Sequence, residues 1–196
     1  MSILYPTIRL PLVGTMLGYA VFGGVLAGTY GALHDQATYS ISHEYFTRLK
    51  FAQFHYANFG LPPRIFVAEV GFLATWWVGF FAAWFIARLP VPTFPRVVAF
   101  RHSLRGFAII FAAAVAASVV GYLFGEWHST DYSGWRDPTS RLGVVDVRRF
   151  VRVAYIHNAG YLGGLLGLAA AIIYLWRLRK TEPFAGGNAA PPRASA

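Results

Sequence analysis

Four stretches of this chain stay apolar for far longer than a soluble core helix requires: Leu10–Leu33, Ile65–Ala87, Leu104–Gly125 and Val151–Trp176. Crossing the hydrocarbon of a bilayer takes about 20 mostly apolar residues in helical form. A backbone in lipid must also satisfy its own hydrogen bonds, which a helix does. The pattern therefore predicts an all-α integral membrane four-helix bundle. The first stretch is longer than the 7–15 residue apolar core of roughly any secretory signal, so it reads as a retained anchor. Residues 1–180 form a single transmembrane domain on this reading. The remainder, 181–196, ends the chain in "TEPFAGGNAAPPRASA", which is small, polar and rich in Gly and Pro. Such a tail buries no core and is expected to be disordered.

Between the first two spans the pattern changes. The stretch "SISHEYFTRLKFAQFHYANFGLPP" places Ser42 as a helix cap, Glu44 in the first turn, and Pro62-Pro63 as the stop. Tyr45, Leu49, Ala52, Tyr56 and Phe59 fall on one helical stripe. Aromatic rings suit the headgroup layer. The stretch is thus expected to be an amphipathic interfacial helix in the first outer loop, folded down as a lid over the bundle, with His43 and His55 solvated or interfacial. The second outer loop is more polar, and Asp146 is placed to open the fourth helix.

Composition supports lipid as the solvent: 56% of residues are hydrophobic and 13% charged, against about 25% charged in soluble domains. The net charge of +9 does not indicate nucleic acid, because the basic residues flank the spans instead of forming a patch. There is no cysteine, which excludes disulfides, thiolate metal sites and Cys nucleophiles. Lys and Arg divide nine to eight between the two sides, so the count alone does not orient the chain. The short, purely basic connector Arg88–Arg105 and the R-L-R-K run after Trp176 both have cytoplasmic character. Both termini are therefore expected in the cytoplasm.

Helices in lipid associate through close backbone approach at small residues. Three spans carry such seams: Gly14, Gly18, Gly24 and Gly28 in the first; Ala113, Ala117, Gly121 and Gly125 in the third; Gly160, Gly163, Gly164 and Gly167 in the fourth. The second carries bulk instead, with Phe72, Trp76, Trp77, Phe80, Phe81, Trp84 and Phe85. It is expected to face lipid, or a protein partner, over much of its surface. The Tyr45–Phe59 helix offers a second surface on which a partner could dock.

The candidate chemistry lies at one end. Asp35 continues the glycine path Gly24, Gly28, Gly31 by helical spacing, with His34 beside it. His157 shares a face with Gly160, Gly164 and Gly167. The four-span topology gathers His34, Asp35, Glu69, Glu126, His128 and His157 at the outer end, where Arg148, Arg149 and Arg152 stand ready to pair with acids or lipid phosphates. The plain reading is a set of polar contacts tying helix ends together. The sharper one is a metal site, since inward His and carboxylates from several helices are how bundles hold metals. The candidate ligands are those six residues, and the cofactor a divalent metal or a haem. A haem would need His34 to face His157 or His128. No G-x-S-x-G elbow and no phosphate loop is present.

The strings "HDQATYSISHEYFTRLKF", "ATWWVGF" and "HNAGYLGGLLG" resemble those of small multi-span bacterial inner-membrane proteins, over roughly Gly14 to Trp176. The resemblance implies a bacterial inner-membrane location and brings no activity with it. Three functional readings follow, in this order. The first is a non-enzymatic accessory or scaffold subunit of a membrane complex. The second is a metal- or haem-binding membrane protein. The third is a small transporter or channel component.

Overall fold

The computed structural model describes residues 9–128 and 133–181. The expected tail falls outside them except for Thr181. Among the described residues there is helix and no strand. Four helices are long and apolar enough to cross a membrane: α1 (Leu10–Ile41), α3 (Pro63–Ala87), α4 (Arg96–Trp127) and α6 (Val147–Thr181). A single turn, α2 (Phe51–Gln53), lies in the first connection, and α5 (Arg136–Arg141) in the third. The chain is a multi-pass membrane protein built as a four-helix bundle.

Local chemistry sets the boundaries. Pro63 opens α3, where its missing N–H would have had no helical partner. Asp146 Oδ1 accepts the Arg149 N–H at 3.1 Å and caps α6 as expected. Ser42 Oγ accepts the Tyr45 N–H at 3.3 Å. The Glu44 carboxylate does more than favour a first turn. It accepts the N–H groups of Val145 at 3.0 Å and Asp146 at 2.7 Å, so one connection caps the start of the helix that follows the other.

At 32, 25, 32 and 35 residues, three of the four helices exceed what the hydrocarbon needs. The helix α4 is extended mainly before Leu104, whereas the turns of α1 beyond Leu33 lie at the opposite end, away from the termini. That distal end is closed by a core of Tyr39, Tyr45, Phe46, Val67, Phe150 and Val153. A second core at the opposite end holds Ala83, Ile86, Leu89, Phe107 and Leu175.

The four helices pack as two antiparallel pairs, α1 with α3 and α4 with α6. In the first pair, a Cβ on Gly31 would collide with the Gly71 carbonyl and the Thr75 hydroxyl, and one on Gly79 with Ala27 and the Gly23 carbonyl. Backbone lies directly on backbone, and Thr75 Oγ1 sits 2.8 Å from the Ala27 carbonyl oxygen across the seam. The second span is therefore not only bulk. Gly71, Thr75, Gly79 and Ala83 recur every four residues and form a fourth seam. The aromatic residues occupy its other faces, where Trp76, Trp77, Phe81 and Phe85 are exposed as expected. In the second pair, Gly121 lies against the Tyr155 carbonyl, Gly163 against Ala117 and Gly167 against Ile110. Among the described residues, a Cβ on Gly14 or Gly18 would meet nothing within 4 Å, so neither takes part in these seams.

The first connection differs from a single amphipathic helix. A π-helical turn, Tyr45–Lys50, runs into α2 and then into a 3-10 turn, His55–Ala57. Tyr56 and Phe59 are exposed, while Tyr45 and Phe46 turn inward and are buried. The wider π turn breaks the expected stripe, so its two ends face different surroundings.

Candidate functional site

Three of the six candidate ligands come together. One ligating atom each from His34, Asp35 and His157 lies within 4.8 Å of the others. Asp35 and His157 are buried and His34 is half-buried. Asp35 arrives on the glycine path of α1, and His157 on α6, so the contact joins the two helix pairs.

The hydrogen bonding of His157 is informative. Its Nδ1 lies 2.9 Å from the Val153 carbonyl oxygen, one turn back. A carbonyl only accepts, so Nδ1 carries the proton. Its Nε2 lies 3.1 Å from Asp35 Oδ1. With Nδ1 as donor, a neutral ring presents a lone pair at Nε2, which a carboxylate oxygen cannot satisfy. A positive species must lie between them: a second proton on the pair, or a cation. The His34 ring stands in edge contact with the His157 ring, 5.1 Å between centroids.

The first connection covers this group. The Tyr45 ring stacks on His157 at 4.9 Å. Burial raises the Tyr45 phenol above its ordinary value, and the charges of Tyr161 and Asp35 add to this, so it remains a donor. Lys50, from the end of the π turn, lines the same small space as Asp35, His34 and His157. Burial holds the Lys50 ammonium below its ordinary value, and Asp35 pulls it part of the way back. The space measures about 60 Å³ and is also lined by Tyr30, Thr75, Ser118 and Tyr161.

The other three candidates stand apart from this group. Glu126 is engaged by Arg148, at 3.0 Å, and by Arg152, while Arg149 pairs with Asp146. His128 packs on the rings of Phe124 and Trp127. Glu69 lies on α3 with Oε2 buried and without a hydrogen-bond partner among the described residues. Sequence reasoning passed over Lys50, Tyr45, Tyr161 and Ser118. Tyr161 was within reach of it, one turn beyond His157. Lys50 was not, because a lysine in an exposed-looking amphipathic stretch gives no sign of turning inward.

Below the polar space lies a larger one of about 500 Å³, between the two helix pairs. Its walls are apolar, and it shares Tyr30, Thr75 and Tyr161 with the polar space. Comparison of the chain with protein-family models, curated proteins and solved structures gave no match.

Proposed function

We propose that this is a metal-binding membrane protein whose ion is held by His34, Asp35 and His157. The observation that carries the reading is the convergence of one ligating atom each from His34, Asp35 and His157 within 4.8 Å, with His157 Nδ1 held by the Val153 carbonyl. A histidine that ligates through one nitrogen commonly donates its other N–H to a carbonyl. Bonds of about 2.0–2.2 Å to one ion put ligand atoms roughly 3–3.5 Å apart. The 3.1 Å between His157 and Asp35 already has that spacing. Two histidines and one carboxylate suit iron, zinc or manganese and leave coordination positions free. The contact of the His34 and His157 rings leaves no slot for a macrocycle, which favours an ion over a haem.

Elemental mass spectrometry on protein purified without a histidine tag tests this. About one metal per chain is expected, lost in His157→Ala and in Asp35→Ala but kept in His128→Ala. Background metal in folded wild-type protein would refute the reading.

A scaffold role is the second reading. The exposed rings of Trp76, Trp77, Phe81 and Phe85 favour it, though lipid would cover them equally well. Co-purification of a stoichiometric partner that dissociates in Trp77→Ala would support it. The basic connector between α3 and α4 and the Arg179-Lys180 end of α6 support an orientation with both termini in the cytoplasm, in the bacterial inner membrane that the resemblance implies. Reporter fusions at the two termini and at the second connection would test that orientation.

A further inference from the structure

The larger space is the feature that neither metal binding nor packing explains. In a bundle whose pairs are jammed at glycine, a 500 Å³ opening between the pairs requires a reason. Gly164 supplies a clue. Most glycines inside the pairs would collide with a neighbour if given a Cβ, but Gly164, which lines this space, would meet nothing within 4 Å. Its missing side chain serves the opening and not helix contact. The exposed lining residues Trp77 and Val78 on α3, and Tyr161 and Leu165 on α6, place the mouth on the lipid-facing side.

The two ends of the opening differ. Its body is walled by apolar residues such as Val78, Phe111 and Leu168. Its distal end meets the polar space through Tyr30, Thr75 and Tyr161, with Lys50 and Asp35 beyond. A ligand that fits is amphiphilic, enters from the bilayer, and carries a compact head that accepts hydrogen bonds from hydroxyl or ammonium groups. The polar space of about 60 Å³ admits a carbonyl, not a phosphodiester with its substituent. A phosphate would also share the space with the Asp35 carboxylate. The apolar volume suits one ring and a short length of one tail, and the aromatic residues Tyr30, Trp77 and Tyr161 line it.

We infer that the opening between the helix pairs is a binding site for a membrane quinone, with a ring carbonyl toward Tyr161 and Lys50 and the tail leaving between α3 and α6. The site goes beyond the metal reading and does not depend on it.

The test is quenching of tryptophan fluorescence by a ubiquinone analogue with a decyl tail, because Trp77 lines the opening. Protein in nanodiscs is used as purified, and again after chelation, so that loss of metal and loss of quinone binding are read separately. Saturable binding at one per chain is expected in wild type and in Gly18→Leu, a glycine with open space around it but outside the opening. Gly164→Leu fills the opening and should weaken binding about tenfold, and Tyr161→Phe a few-fold. Decanol and lysophosphatidylcholine should not displace the quinone. Equal affinity in wild type and Gly164→Leu, an absence of saturable binding, or displacement by decanol would each overturn the inference. Should Gly164→Leu not fold, unchanged affinity in Tyr161→Phe would overturn it.

Discussion

The seams within the helix pairs and the space between the pairs are built from the same kind of residue and behave in opposite ways. Inside the α1–α3 pair, Gly31 and Gly71 lie with backbone against backbone and leave no room for a methyl group. Between the pairs, Gly164 faces an opening. A glycine in a membrane helix can thus mean contact or vacancy. Within a pair it gives the dispersion contacts that hold helices together where lipid removes the hydrophobic drive. Between pairs its missing side chain leaves space at a site. The polar group of His34, Asp35 and His157 sits where the two regimes meet, and its Asp35–His157 contact bridges one pair to the other.

The comparison breaks most easily at a seam. Gly31→Val should have the largest effect, because its side chain would strike the Gly71 carbonyl and Thr75, neither of which can move without separating the helices. Loss of monodisperse folded protein in size-exclusion chromatography is the expected result, and Gly31→Ala should still cost about 3 kcal/mol in a detergent unfolding titration.

Next comes the bridge. His157→Ala leaves the Asp35 carboxylate buried without its partner, a loss of about 3 kcal/mol. The double substitution with Asp35→Ala should cost less than the sum of the two single ones, because the stranded charge is gone. Strict additivity would mean that the two side chains do not act on one another.

A smaller effect is expected at the surface of the distal end. Glu126→Gln weakens the pairs with Arg148 and Arg152, and about 0.5–1 kcal/mol should be lost, less at high salt. Metal content should stay unchanged, because Glu126 is not part of the buried group.

The smallest effect sharpens the contrast most. Gly164→Ala puts a methyl group into open space and removes a flexible helix position, so stability should change by under about 1 kcal/mol, in the favourable direction. If Gly164→Ala and Gly31→Ala proved equally damaging, the distinction between seam and opening would fail.

Much of this arrangement could be read in the residues. Span number, helix class and the glycine seams of α4 and α6 follow from hydropathy and four-residue spacing. Asp35 and His157 could be predicted to meet, because each extends a row of small residues toward the same end. The seam on α3 was legible too, at Gly71, Thr75, Gly79 and Ala83, but large aromatic residues between those positions hid it. Glu126 and His128 could not be separated from the buried group by spacing alone. They lie at the same level, and only their rotation about the helix axis turns them toward Arg148 and Arg152, or toward Phe124 and Trp127.

By itself, the sequence determined that this chain crosses a membrane four times, with His34, Asp35 and His157 at one end. Long apolar runs have no other stable arrangement, and helical periodicity is local. Only the tertiary structure decided how the helices pair, which glycines are contacts and which are space, and that Lys50 and Tyr45 turn inward over His157. These depend on how separate segments meet, and a π turn of six residues is enough to turn Tyr45 inward into the core at the distal end.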